Sequence, residues 1–336
     1  MGRNYGVSYK GSKSRIVEKL VEAIPCVGVD NFYDLFAGGC AVTHKMLLDG
    51  RFNHYFANDI DGQALRLFYD GLKGKYTNET RWISRADFFR LKDSDPYVSC
   101  CWSFGNNQRD YLYSKSIETY KKACHYAIVF GDFSLLKDLY PDVGAACEIT
   151  LNGIVDIRER RIKFRSVIGC KLAERSNSGL LRMSQENDVD RLESLERIER
   201  FEYSVSDYKD VEIKPNSVIY ADIPYISTNT YNKKSSTEQS FNHDEFYDWC
   251  CNQRELVLVS EYQMPIDRFT EVWSTKHIQR ICATNTSSTT ERLFVPTRQL
   301  SKYNEMMNRT KDLDISKRSC VELSLFNDCQ MMTANR

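Results

Sequence analysis

A chain of 336 residues, 42% hydrophobic and with 46 basic against 46 acidic residues, can bury a full α/β core and still carry a second domain. Zero net charge excludes a protein that is basic overall but leaves room for a local basic patch. The twelve cysteines contain no C-x-x-C and the five histidines no H-x-x-x-H, so no metal site is expected; free thiols in a reducing cytoplasm are, and neither a signal peptide nor a membrane-spanning apolar run stands out.

In chain order, Tyr5-Gly6-Val7-Ser8-Tyr9-Lys10-Gly11-Ser12-Lys13 is a small-residue turn with lysine at its mouth, ahead of a helical pattern through Ile16, Leu20, Val21 and Ile24. Such a turn suits a carboxylate or phosphate. Residues 31–36 read as a strand, Ala37-Gly38-Gly39-Cys40-Ala41 as a tight turn, Val42 to Leu48 as a helix, and His54 to Ala57 as a second strand ending at Asn58-Asp59-Ile60-Asp61. This βαβ unit has glycines at its first turn and an acid about twenty residues on, as in a nucleotide-binding half-fold. Asp59 is placed for ribose hydroxyls. The turn is not G-x-G-x-x-G, and Asp34 and Phe36 ahead of it suit a ligand with an amino acid end and no pyrophosphate, namely S-adenosylmethionine.

Residues from about 80 to 200 break the βαβ rhythm. Trp102-Ser103-Phe104-Gly105-Asn106-Asn107-Gln108-Arg109 is rich in aromatic and amide groups, the types that stack on bases or read them. Tyr120, Cys124, Ile128 and Phe130 mark a helical core stretch. Arg158, Arg160, Arg161, Lys163 and Arg165 form a basic, strand-like run continued by Lys171 and Arg175, and Ser176 to Gly179 a loop that could enter a groove. Leu192, Leu195 and Ile198 recur every third residue, as in a short helix or repeated turn serving as a spacer.

Val218-Ile219-Tyr220-Ala221 reads as a buried strand that stops at Asp222-Ile223-Pro224-Tyr225. Ligands of open α/β sheets sit beyond the carboxyl ends of strands. An exocyclic amine on a nucleobase is a poor nucleophile, because its lone pair is delocalised into the ring. Acceptors on its two N–H groups, here the Asp222 carboxylate and the Ile223 carbonyl, favour a tetrahedral nitrogen facing a methyl donor. Pro224 fixes the turn and Tyr225 offers a ring to stack on an extruded base. Residues 227–240 suggest a polar loop over this site, Phe246, Trp249 and Cys250 a helix, Leu256 to Val259 a buried strand, and Thr290 to Val295 a late strand; Ser260, Glu261 and Tyr262 could line the pocket.

The motifs Tyr9-Lys10-Gly11-Ser12-Lys13, Asp34-Leu35-Phe36-Ala37-Gly38-Gly39, Asn58-Asp59-Ile60-Asp61, Ser206-Asp207-Tyr208 and Asp222-Ile223-Pro224-Tyr225 stand in family order, and the chain resembles a Dam-like DNA N6-adenine methyltransferase of the form common in phages and mobile elements. Two departures are Ile223 for the first proline of D-P-P-Y and Cys40 at a turn position where many relatives carry glycine. The resemblance implies a doubly wound, Rossmann-like AdoMet-dependent methyltransferase sheet with an inserted, mainly helical target-recognition domain: residues 1–79 cofactor-binding, 80–200 recognition, 201–336 catalytic. It implies that Tyr9 and Lys13 hold the methionine end of S-adenosylmethionine above Phe36, Ala37, Gly38 and Gly39. Asp59 with Ile60 would take the ribose, Asp207 and Tyr208 the cofactor adenine, and Asp222 both the cofactor's amino end and the target base. Double-stranded DNA is the expected partner, with no metal and no membrane. Cytosine N4 methylation, or AdoMet and DNA binding without turnover, are the alternatives. C5 methylation is set aside, because Pro25-Cys26, the only Pro-Cys pair, precedes the glycine turn.

Overall fold

The structure is a computed structural model that describes residues 5–9, 11–77, 79–172, 198–225, 241–280 and 286–312. The chain divides into two compact units: the first comprises residues 1–7, 11–73 and 194–336, the second 8–10 and 74–193.

The first unit is built on a seven-stranded sheet in the order β3-β2-β1-β4-β5-β7-β6. The strands are β1 (Asn31–Asp34), β2 (His54–Asn58), β3 (Phe201–Ser204), β4 (Ser217–Asp222), β5 (Leu256–Glu261), β6 (Phe269–Arg280) and β7 (Thr286–Pro296). β1 pairs in parallel with both β2 and β4, β2 with β3 and β4 with β5, while β7 runs antiparallel between β5 and β6. Strand order reverses at β1/β4, the switch point where a doubly wound sheet opens a crevice. The central strands are short and almost wholly apolar because both faces are covered. Val218, Ile219, Tyr220 and Ala221 of β4, and Leu256 to Val259 of β5, are fully or almost fully buried. Each valine, leucine or isoleucine among them contributes roughly 1.5–3 kcal/mol of burial.

Helices α1 (Val17–Glu22), α2 (Ala41–Asp49) and α3 (Gly62–Leu72) complete the N-terminal βαβ layers. α3 starts where the Asp61 side chain accepts the Gln63 N–H, and it buries Ala64, Leu65, Leu67, Phe68 and Leu72 on one stripe. The N-terminal turn is locked beneath α2: the Gly6 N–H donates to His44 Nδ1 (2.9 Å) and the Val7 N–H to the Gly39 carbonyl (2.8 Å). Gly6 has φ +68°, and a Cβ there would lie 2.1 Å from the Gly39 oxygen and 2.7 Å from the Ala41 nitrogen, both backbone atoms that cannot give way. Gly6→Ala is therefore expected to destabilise the protein by roughly 2–4 kcal/mol in urea denaturation; a loss under about 0.5 kcal/mol would show that this loop does not dock as described.

The second unit is helical among its described residues: α4 (Arg85–Leu91), α5 (Pro96–Cys101), α6 (Lys115–His125), α7 (Ser134–Leu139), α8 (Pro141–Leu151) and α9 (Ile157–Leu172). Its core joins Tyr120, Ala123, Cys124, Ile128, Leu136, Cys147, Phe164 and Ile168. α6 runs on into a single wide turn, Tyr126–Phe130, which leaves Phe130 about half exposed rather than in the core as its spacing suggested.

The basic run is a helix and not a strand. Arg160, Phe164 and Ile168 recur every four residues and are all buried, a helical stripe that the surrounding charges obscured. Arg160 sits against Gly131 and donates from Nη2 to the Ala127 carbonyl at 2.7 Å. It ties α9 to the wide turn that follows α6 and is not a surface cation.

Candidate active site

The carboxyl ends of β1, β2 and β4 bring the first unit's sequence motifs together. Asn58, buried at the end of β2, knits them. Its amide nitrogen donates to the carbonyls of Leu35 (3.3 Å) and Ser206 (3.0 Å), and its oxygen accepts from the hydroxyls of Ser204 (2.8 Å) and Ser206 (3.0 Å). Asp59 holds the glycine turn: Oδ2 accepts the Gly38 N–H at 2.8 Å and Oδ1 the Asp61 N–H at 2.9 Å. Burial raises its pKa against the pull of these N–H groups. Neighbouring Ile60 is 80% exposed. Cys40 takes up the left-handed conformation (φ +59°) ahead of α2, buried and with no capping bond from its side chain. A non-glycine residue there costs on the order of 1 kcal/mol, which tight burial of the small thiol side chain offsets.

Asp34 ends β1 and is buried. Its Oδ2 accepts from Thr43 Oγ1 at 2.7 Å, whereas Oδ1 has no partner among the described residues. Burial pushes its carboxyl up to about 7, opposed by the Thr43 bonds and reinforced by Asp222 and Asp59. A buried carboxyl oxygen without a donor is what a ligand's ammonium group would complete, so this donor set fits the amino acid end of S-adenosylmethionine. The aromatic groups lie on the same side. Phe36, half-buried, is 5.5 Å from Tyr208 and 5.6 Å from both Phe241 and Phe246 between ring centroids, and Tyr208 packs edge-on to Trp249. Asp207 caps the short turn carrying Tyr208 by accepting the Lys209 N–H at 3.0 Å. Ala37 bonds through its N–H to the Asn58 carbonyl (2.9 Å), and Gly39 receives Val7 as above.

At the end of β4 the Asp222 side chain keeps about a fifth of its surface exposed. Lys13, buried, holds Asp222 Oδ1 at 2.7 Å and the Tyr225 hydroxyl at 2.5 Å, with its ammonium 4.7 Å from the Tyr225 ring centre. Burial raises the Asp222 carboxyl to about 6, with Lys13 opposing. Burial also works against the Lys13 charge, but Asp222 and Glu291 outweigh it and leave the ammonium more basic than usual. Tyr225 is buried, packs edge-on against Tyr262 at 4.5 Å, and donates its hydroxyl to Glu291. Ile223 is buried and Pro224 exposed. The Pro224 carbonyl accepts from His243 Nε2 at 2.8 Å, which pins the turn that carries Ile223 in place of a first proline.

Sequence reasoning assigned no role to three of these groups. Glu291 falls in the stretch read as a late strand but was given no part in the site, His243 lies in none of the motifs, and Thr43 is an unremarked residue of the helix after the glycine turn. Ser260 was legible as a strand-end residue, and it donates to Glu291 at 2.9 Å.

In the second unit, Trp102 is fully buried against Trp82 (5.1 Å, edge-on) and Tyr113, so it is a core residue and has no free face for a base. Asn106 donates to the Cys100 carbonyl at 3.0 Å, and the Asn107 oxygen accepts the N–H groups of Arg109 and Asp110 at 2.9 Å. Both amides are engaged in closing their own loop, and the exposed ring there is Phe104. On α9, Arg158, Lys163 and Arg165 are exposed, Arg161 is half-buried, and Lys171 lies in the last turn. Tyr9 is half-buried and falls in the second unit. Arg175, the loop at 176–179, Leu192, Leu195 and the polar loop at 227–240 lie outside the described residues.

Among the described residues no cluster of three His, Cys, Asp or Glu could hold a metal ion, and no helix is long and apolar enough to cross a membrane. No curated protein matches the chain. Residues 9–140 match the family model for D12 class N6 adenine-specific DNA methyltransferases, a span that takes in the glycine turn, Asp34 and Asp59 and stops short of Asp222. That match makes residues 9–140 similar to the D12 class of N6 adenine-specific DNA methyltransferases, and the doubly wound sheet order of the first unit is consistent with a Rossmann-like methyltransferase fold.

Proposed function

We propose that the protein transfers the methyl group of S-adenosylmethionine to N6 of an adenine taken out of duplex DNA, by direct attack without a covalent enzyme intermediate. The observation that carries this reading is Asp222: a partly exposed carboxylate at the end of a buried central strand, beside the switch point, on a turn held from both sides by Lys13 and His243. S-adenosylmethionine, when bound, supplies an electrophilic methyl group. The open Asp34 oxygen, the Gly38-Gly39 backbone, Phe36, Asp59, Asp207 and Tyr208 are the groups that would hold it. Asp222 would accept a hydrogen bond from the adenine amine, the Ile223 carbonyl would accept the second, and together they turn the nitrogen lone pair toward the methyl group. Asp222 would also take up the proton that the amine loses on methylation.

Taking an adenine out of a duplex costs a few kcal/mol, which contacts to the DNA must offset. In the second unit the exposed Arg158, Lys163 and Arg165 and the half-buried Arg161 suit phosphate contacts. The test is transfer of labelled methyl from S-adenosylmethionine to duplexes with and without adenine, followed by nucleoside analysis. N6-methyladenine is expected. Label in N4-methylcytosine, or no label despite measurable binding of S-adenosylmethionine, would overturn the proposal.

A further inference from the structure

The site contains an acid with no task in the chemistry above. Glu291 lies on β7, 2% exposed, where an unpaired carboxylate would cost several kcal/mol. It is paired three ways: Oε1 accepts from the Tyr225 hydroxyl and from Ser260 Oγ at 2.9 Å, and the Lys13 ammonium stands 3.6 Å away. One buried ammonium thus lies between two carboxylates, one from β4 and one from β7, and it rests on the one needed by the substrate. An amine arriving at Asp222 competes with Lys13 for that carboxylate. A lysine this deeply buried cannot be left without an anion, because its desolvation would then go uncompensated.

Resting on the reading of Asp222 as the amine's acceptor, we propose that Glu291 is a positioning residue for methyl transfer: it is the second anion onto which Lys13 moves when the adenine amine takes Asp222, and it holds the Tyr225 ring in place during that exchange. The distances suit a short transfer of the ammonium, from 2.7 Å on one carboxylate to 3.6 Å from the other, with the Tyr225 hydroxyl bonded to both Lys13 and Glu291. Total charge in the site is unchanged by the movement. The ionisable groups that act on Asp222 are Lys13 from the N-terminal turn, Glu291 from β7 and Tyr225 from its own turn. Asp34 on β1 and Tyr220 on β4 also feel its charge, and Tyr262 acts on Lys13.

Glu291→Gln keeps the shape and the acceptor oxygen offered to Tyr225 and Ser260 but removes the charge. The proposal expects kcat to fall about tenfold with KM for duplex DNA within about twofold, since a fault appearing after binding lowers turnover and not affinity. It also expects the acid limb of the kcat–pH profile to move down by about one pH unit, because loss of a nearby negative charge favours the ionised form of Asp222. A role confined to packing would lower the melting temperature and leave that limb in place, so an unmoved limb overturns the proposal. Asp222→Asn is measured alongside. If it loses turnover while the Glu291→Gln limb stays put, the acceptor reading stands and only the role of Glu291 falls. If Asp222→Asn retains turnover, the acceptor reading fails and takes the proposal with it. Should Glu291→Gln not fold, Glu291→Asp, which draws the charge back by one methylene, carries the same test with a smaller shift in the same direction; again, no shift overturns it.

Discussion

Asp222→Ala is expected to lower single-turnover methyl transfer by about 10³-fold, while Kd for duplex DNA changes by less than about threefold. The amine gains nucleophilicity only as its geometry changes, so acceptors aligned with its N–H groups act mainly in the transition state and their loss appears in the chemical step. The pH dependence follows from the same group. Burial lifts the Asp222 carboxyl to about 6 despite the Lys13 ammonium beside it. The ionised form is the competent acceptor, so the rate rises with pH through about 6 and levels above it. In Asp222→Ala that limb disappears along with the rate. A variant that retains transfer within tenfold of the native protein, or a native profile flat between pH 5 and 7, would remove Asp222 from the chemistry.

Asp34→Asn is expected to make the protein more stable at pH 8 and poorer at binding S-adenosylmethionine. The folded pKa of Asp34, about 7, lies above the value of about 3.9 for an unfolded aspartate. Between these values the folded state binds more protons than the unfolded one, so the stability associated with this group is fully present below the unfolded pKa and is lost as pH rises through about 7. The loss is on the order of 4 kcal/mol at most, because water entry and relaxation soften burial. Asparagine cannot ionise, and its side-chain oxygen can still accept from Thr43. Calorimetry at pH 5 and pH 8 should therefore show a smaller drop in Tm for Asp34→Asn than for the native protein. Titration with S-adenosylmethionine should show binding weakened by about tenfold or more, as expected when a charge-assisted hydrogen bond is lost. Equal pH slopes in the two proteins would mean that Asp34 is not held as a high-pKa acid. Both outcomes together would mark Asp34 as a position where stability is given up for a ligand.

Much of the frame was legible before any coordinates. Strands β1, β2, β4 and β5 announce themselves as short apolar runs ending in Asp34, Asn58-Asp59, Asp222 and Ser260-Glu261, because a parallel sheet buried on both faces tolerates polar residues chiefly at strand ends. The glycine turn and the four-residue motif after β4 were readable for a related reason. Tight turns and ligand approach restrict which residues fit, and such restrictions act within a few positions of the chain.

What the sequence could not convey depends on partners brought together from afar. Trp102 and Arg160 have the composition of a nucleic-acid surface, yet one is packed under Trp82 and the other bonded to the Ala127 carbonyl, since burial is decided by neighbours that no local pattern names. Alternating arginines looked like a strand until Arg160, Phe164 and Ile168 were seen on one buried stripe, where an arginine's long stem can pack like an apolar residue. The network at Asp222 is drawn from the N-terminal turn, β4, β5 and β7, with Lys13 and Asp222 separated by 209 positions in the chain. Local chemistry fixed the strands and the turns and singled out Asp222 as the candidate acceptor. Only the tertiary fold, by excluding water around Lys13, Asp222 and Glu291 together, decided that one ammonium would lie between two carboxylates, because charges interact strongly only when they are both close and shielded from solvent.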